Sequence, residues 1–239
     1  MREKISVAMA VYNGEKYLKE QLESILFQLG EEDEIIISVD PSHDGTLDIL
    51  KFYRRKDKRI RVCHGPGKGV VNNFENAIRH CKNEIIFLAD QDDVWNYGKV
   101  DKVLKVFSDQ NVTCVLHNAY ITDKDLNVLE DSFFELRKCR KGIIHNIIKN
   151  SYMGCCMAFR KNQIWRFLPF PAHLPMHDQW IGICCEYYGC TKLLKEPLIK
   201  YRRHEHNVSA LRHASLIQMF IWRKNVVIEF IKRIIKNRL

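Results

Sequence analysis

The 239-residue chain has no run of about 18 uncharged apolar residues, which excludes an ordinary membrane-spanning helix. None of its nine cysteines falls in a C-x-x-C spacing, which excludes a zinc ribbon or finger. There is no internal repeat and no low-complexity linker. The start, MREKISVAMAVYNG, has only a strand-length apolar stretch after Lys4 and no small-residue cleavage site, so no signal peptide is expected. An odd cysteine count without such a signal fits reduced thiols in a cytoplasmic protein, packed as small apolar side chains. The glycine-rich GPGKG (65–69) matches neither the Walker loop nor the dinucleotide fingerprint.

Excess charge is also missing from most of the chain. The net charge is +9, but residues 199–239 hold ten Lys/Arg against two Asp/Glu, which leaves +1 for the rest. The basic character therefore belongs to the tail, where it points to an anionic surface. Hydrophobic residues at 46% and charged residues at 28% mark a globular chain with a sizeable core.

Short apolar runs alternate with helical periodicity through the first half. Strands are expected at 5–11, 33–39, 60–63, 84–89 and 112–116. Helices are expected after Leu18, over 46–55, over 70–81 and around Val100–Phe107 (apolar at 100, 103, 104 and 107). This alternation predicts a mostly parallel, Rossmann-like sheet with helices on both faces. Ligands of such sheets bind beyond the carboxyl ends of the strands. The second half is less regular: a strand with a glycine at 151–159, a loop entering a helix at 175–189, and two short strands with a polar loop at 193–209. A helix is expected from residue 213 onward.

Three strand ends carry polar chemistry: Val11-Tyr12-Asn13, Asp40, and the acidic FLADQDDVW (87–95). Like carboxylates at one spot repel unless a cation or hydrogen-bond donors sit among them. Asp90, Asp92 and Asp93 thus read either as a divalent-cation site or as a solvated acidic turn with Asp93 as a helix cap. Asp40 reads as an acceptor for a base N–H or ribose hydroxyl, or as a turn former. Tyr12 either stacks on a base or packs. Lys68, with the backbone N–H groups of its loop, either meets phosphates or belongs to a loose surface loop. Asp178 in MHDQW is a helix N-cap or a general base. His204 and His206 become candidate ligands if their segment returns to the acidic turn.

Taken together and in order, ISVAMAVYNGEKYLKEQLESIL, IIISVDPSHDGT, IIFLADQDDVW, HDQW and YRRHEHNVS resemble the family 2 glycosyltransferases, in particular bacterial rhamnosyltransferase-like members. The resemblance spans roughly residues 4 to 210. It implies an α/β GT-A fold with a C-terminal helical tail: a catalytic domain at 1–210 and a basic amphipathic segment at 211–239. It implies that Ala10 and Tyr12 contact the donor nucleoside, that Asp40 reads the base, and that Asp92 lies near the ribose. Asp93 would hold the metal of the DxD motif, Asp178 would be the catalytic base, and His204 would approach the metal and diphosphate. The sequence departs from the family's frequent DDGS at Val39-Asp40-Pro41-Ser42, and Lys68 has no firm counterpart.

The expected activity is inverting transfer of a sugar from a nucleoside-diphosphate donor, with Mg2+ or Mn2+, to a saccharide or lipid-linked saccharide during surface polysaccharide synthesis. The expected location is cytoplasmic, with the tail either a contact for the inner face of the membrane or a helix packed on the catalytic domain with a solvated basic face: apolar Val227, Ile228, Ile231, Ile234 and Ile235 share one helical face, while Lys232, Arg233 and Lys236 share another. The alternatives are a sugar nucleotidyltransferase, which should carry a glycine-rich signature at the first strand end, and a non-catalytic nucleotide- or nucleic-acid-binding module. No base-reading motif supports specific nucleic-acid binding.

Overall fold

The computed structural model describes residues 2–172, 174–205 and 215–237. In chain order its elements are β1 (Ile5–Val11), α1 (Leu18–Leu26), β2 (Glu34–Val39), α2 (Thr46–Lys56), β3 (Ile60–His64), α3 (Val70–His80), β4 (Ile85–Ala89), β5 (Val94–Trp95), α4 (Lys99–Phe107), β6 (Val112–Thr122), β7 (Val128–Glu130), α5 (Phe133–Arg137), α6 (Ile143–Ile148), β8 (Met157–Arg160), α7 (Ile164–Phe167), α8 (His177–Tyr188), β9 (Cys190–Arg202) and α9 (Leu216–Lys236).

The strands form one sheet in the order β3-β2-β1-β4-β8-β6-β9-β5, with β7 on the edge of β6. The first four are parallel, as the βα alternation predicts. Their side chains are apolar on both faces because helices cover both: every residue of β1, β2 and β4 is buried. In α1 the buried side chains are Leu18, Gln21, Leu22 and Ile25, one stripe at helical spacing.

Beyond β4 the sheet is mixed. β8 runs antiparallel to both β4 and β6, while β6 and β9 form a long parallel pair. The strand expected at 112–116 runs on to Thr122 because β9 pairs with it up to Thr122–Arg202. The two short strands expected at 193–209 are one strand ending at Arg202, with register shifts where it passes His117–Tyr120. The polar end of that segment, His206 included, lies outside the described residues. The strand expected over 151–159 is broken by a 3-10 turn, Gly154–Cys156. That turn and β9 matter most for function, because they return the second half of the chain to the carboxyl edge of β1 and β4.

All nine cysteines are free, and six are buried. No helix among the described residues is long and apolar enough to cross a membrane. Helix α8 lies tightly against Tyr152, in the segment that leads into the Gly154–Cys156 turn. A Cβ at Gly182 would stand 2.3 Å from the Tyr152 ring, a separation that no repacking of one side chain relieves. Gly182→Ala should therefore lower stability by about 1–3 kcal/mol, read as a lower urea midpoint. An unchanged midpoint would mean that α8 sits further from Tyr152 than described.

Candidate functional site

The carboxyl edge of the parallel strands is built by backbone ties between their loops. Val11 O accepts from Asp40 N at 2.9 Å, and Val39 O accepts from Gly65 N at 2.7 Å. Gln91 then clamps β4 to β1: its Oε1 accepts from Tyr12 N at 2.8 Å and its Nε2 donates to Tyr12 O at 2.9 Å. The clamp fixes the Tyr12 backbone and leaves the residue 54% exposed at the mouth, beside buried Ala10. The Pro41-Ser42 departure keeps the turn, because Ser42 Oγ donates to Asp40 O and accepts from Asn13 N.

Asp40 is buried, and its Oδ1 accepts the Gly67 N–H at 2.8 Å. The 65–69 loop thus wraps the carboxylate. Only glycine fits at position 65, where a Cβ would stand 2.3 Å from Asp40 Oδ1. Lys68 is an exposed residue of the same loop. Asn73, in the first turn of α3, donates to Val11 O, while its buried Oδ1 has no protein partner.

The acidic turn follows β4. Asp93 is completely buried; its Oδ1 accepts the Arg202 N–H at 3.1 Å and its Oδ2 has no protein partner. It is therefore no local helix cap: it joins β4 to the end of β9. Arg202 completes the tie through Asp92 O, Lys124 O and the Glu20 carboxylate, with its guanidinium 4.5 Å from the centre of the Tyr17 ring. Two residues on, His204 Nε2 stands 2.8 Å from Asp92 Oδ2. The return of this histidine to the acidic turn, which YRRHEHNVS raises only as a possibility, is thus a feature of the fold.

Lys99 lies beneath the turn, fully buried. Its ammonium donates to Cys155 O at 3.0 Å and sits 3.9 Å from the centre of the Trp95 ring. Donor atoms of Asp90, Asp93 and Cys155 lie within 4.8 Å of one another. Burial drives Asp90 up to about 7, reinforced by the charges of Asp92 and Asp178. Asp93 is pushed well above the ordinary carboxylate range by burial and by Asp92 and Asp90. Burial pulls Lys99 down to about 8 against the carboxylates beside it. The ammonium supplies part of the compensation that the clustered carboxylates require.

Asp178 lies in the first turn of α8, where Met176 is the N-cap; the N-cap reading of Asp178 is not what the fold uses. Its Oδ1 accepts from Gln179 N at 2.5 Å and Asn150 Nδ2 at 3.4 Å, and the Gly154 N–H also bonds the carboxylate. Burial raises it to about 6 against those donors. The same 3-10 turn thus bonds Asp178 through Gly154 and Lys99 through Cys155. Because Cys155, the next residue, has its sulfur within 4.8 Å of the Asp90 and Asp93 oxygens, this turn sets Asp178 beside the acidic turn. Beside it, His177 stacks on Phe74 at 4.2 Å and is held neutral by burial, at about 4.

Ala10, Tyr12, Asp40 and Lys68 therefore gather on the β1–β2–β3 side, and Asp92, Asp93 and His204 at the β4–β9 junction next to Asp178. Gln91, Lys99, Asn73 and the Gly154–Cys155 turn are additions that sequence reasoning missed. Lys99 and Asn73 look like ordinary polar positions of amphipathic helices, and Gln91 like a spacer between acids.

The family model for glycosyl transferase family 2 matches residues 6–167. The chain belongs to that family. It is 26% identical over 223 residues to the dTDP-rhamnosyl transferase RfbG of Shigella flexneri, covering 83% of this chain and 72% of the relative. The fold matches S. aureus TarS, a GT-A protein solved with UDP-GlcNAc, at a TM-score of 0.71 and 18% identity over 96% of this chain and 72% of that one. It also matches the mannosyltransferase PcManGT of Pyrobaculum calidifontis, solved with GDP-Man and Mn2+, at a TM-score of 0.63 and 16% identity, covering 99% and 65%. The chain spans two thirds or less of the length of several curated relatives that it matches.

Because burial raises Asp178, the folded chain holds its proton more tightly than the unfolded chain does. Its contribution to stability is full below the ordinary value of 3.8 and is lost as pH rises through about 6. Asp178→Asn should thus raise the thermal midpoint relative to wild type more at pH 8 than at pH 4. Equal differences at both pH values would show that Asp178 titrates normally.

Proposed function

We propose that the chain is an inverting, cation-dependent glycosyltransferase that moves a sugar from a nucleoside-diphosphate donor to a saccharide hydroxyl in surface polysaccharide synthesis. The observation that carries this reading is that the Gly154–Cys155 turn holds Asp178 on one side, a Cβ at Gly154 standing 3.9 Å from Asp178 Cβ, and brings Cys155 to within 4.8 Å of the Asp90 and Asp93 oxygens on the other. A base and a diphosphate grip at one point are what single-displacement glycosyl transfer requires. TarS binding UDP-GlcNAc and RfbG acting from a dTDP sugar support the donor class.

On this reading Ala10 and Tyr12 flank the nucleoside, with Tyr12 stacking on the base. Asp40, held by Gly67, accepts a base N–H, and Asn73 Oδ1 is a second acceptor beside it. Lys68 reaches the phosphates from the 65–69 loop. The resemblance gave the cation to Asp93 and the ribose to Asp92. Complete burial of Asp93 removes it from a solvent-borne diphosphate, so we assign the cation to Asp92 and His204, which already meet at 2.8 Å. A carboxylate with phosphate oxygens completing the shell suits Mg2+ or Mn2+, and the imidazole beside it favours Mn2+ of the two; the Mn2+ of PcManGT supports the same class. The bound ion would offset negative charge on the departing diphosphate.

Asp178 accepts the proton of the acceptor hydroxyl as that oxygen attacks the anomeric carbon. The bond to the diphosphate breaks with its electron pair leaving on the phosphate oxygen, through an oxocarbenium-like state. One displacement inverts the centre. Burial that lifts Asp178 to about 6 makes it a stronger base than a surface aspartate while leaving it ionised at neutral pH. A sugar nucleotidyltransferase is the weaker alternative. It calls for a glycine-rich signature at the first strand end, and the Tyr12-Asn13-Gly14 turn does not supply one. The acceptor includes lipid-linked saccharides, which would bring the enzyme to the cytoplasmic face of the membrane.

Asp178→Asn should keep donor affinity and lose transfer by on the order of 10²–10⁴-fold, and wild-type turnover should fall as pH drops through about 6. Near-normal transfer by the variant would remove Asp178 from the chemistry. For the cation, Asp92→Asn should weaken Mn2+ binding in titration calorimetry far more than Asp93→Asn; the reverse ranking would return the role to Asp93.

A further inference from the structure

The C-terminal helix is held to the body by one face. Val226 and Phe230 are buried, and Phe230 packs edge-on against Trp180 and Tyr187 of α8. Arg233 donates to the Leu168 and Pro169 carbonyls, Arg223 to Ile148 O, and Asn237 to Tyr188 Oη. Residues 223, 226, 230, 233 and 237 recur at helical spacing and form a single stripe. The helix is thereby locked in rotation.

The opposite face is the more apolar one, and it points outward. Ile217, Phe220, Ile221, Trp222, Ile228, Ile231 and Ile235 are each between 39% and 75% exposed. Six of them fall on one side of the helix at spacings of three, four and seven; Trp222 lies apart from them, on the flank of the stripe that holds Val226. They run along most of its 21 residues, about 30 Å. A contiguous apolar stripe of this kind marks an interaction face rather than ordinary surface. The helix does pack on the domain, through Val226, Phe230 and Arg233 with Ile234 partly buried, but Ile228, Ile231 and Ile235 of the expected apolar face stay exposed.

Charge decides the occupant. Lys224 lies within the stripe, and Lys232 and Lys236 follow its edge, all exposed, Lys232 pairing with Glu229 at 2.7 Å. The segment 199–239 holds most of the chain's net positive charge. An isoleucine face bordered by lysines fits the interface of an anionic bilayer, where the apolar side chains enter the acyl boundary and the ammoniums reach the phosphates. A protein partner or a second copy would have to bury Lys224 in an apolar contact without a carboxylate on this face to meet it.

We infer that the outer face of α9 is a membrane-docking surface for anionic phospholipid, with the helix lying along the bilayer rather than across it. This goes beyond the catalytic reading and holds whether or not the acceptor is lipid-linked.

The full chain should co-sediment with vesicles of phosphatidylcholine plus phosphatidylglycerol and not with phosphatidylcholine alone. Raised salt should weaken the binding. Ile221→Asp with Ile228→Asp and Ile231→Asp, or Lys224→Glu with Lys232→Glu and Lys236→Glu, should cut partitioning on the order of tenfold or more. Circular dichroism and metal-dependent donor hydrolysis should stay at wild-type level. No binding at low salt, or binding that both variants retain, would overturn the inference. So would a concentration-dependent dimer that the isoleucine variant abolishes, since a second copy would then cover the stripe. Failure of donor hydrolysis alone would instead count against the catalytic reading.

Discussion

The structure is organised around a shortage of solvent at one point. Four carboxylates, Asp90, Asp92, Asp93 and Asp178, are brought to the carboxyl edge of β1 and β4, and two of them, Asp93 and Asp178, are buried. Water cannot stabilise those charges, so the fold supplies substitutes. Lys99 brings an ammonium from below, Arg202 brings a backbone N–H, and Gly154 and Gln179 offer N–H groups to Asp178. These substitutes do not fully replace water: Asp90 and Asp93 remain shifted upward, by burial first and by the neighbouring carboxylates second.

The same economy explains the second half of the chain. The run of β9 alongside β6 from Cys190 to Arg202 delivers Arg202 and His204 to the acidic turn. The turn at Gly154–Cys156 joins Asp178 to Lys99 through adjacent residues. Displacing either segment would separate Asp178 from the acidic turn on which the proposed transfer depends. Positional accuracy of that kind is worth several kcal/mol in a reaction that depends on alignment.

The four parallel strands were legible because each is a short apolar run closed by turn residues, and the polar residues at their ends mark the site directly. The resemblance in five ordered segments added the roles of Asp40, Asp178 and His204 as expectations. What stayed hidden depended on tertiary distance. The charge on Lys99 looks like any lysine of an amphipathic helix, and nothing local says that it turns inward to Cys155. Gln91 acts only through the register of β1 against β4. The extension of β6 to Thr122 follows from its partner β9, since His117–Asn118 is polar and weak by pattern alone. The outward orientation of the α9 isoleucines is a result of which stripe carries Phe230 and Arg233, and periodicity cannot rank two amphipathic faces.

The central claim is that Asp178 and the DQDD turn share one low-dielectric site. Carbon-13 titration of the aspartate carboxyls, in wild type and in Asp178→Asn, tests it most directly. The account predicts that Asp90 titrates near 7 in wild type and moves measurably down when the charge at 178 is removed, while burial and Asp92 keep it above the ordinary carboxylate range. An Asp90 midpoint indifferent to residue 178 would show that the two do not share a site, and the mechanism built on their proximity would be contradicted.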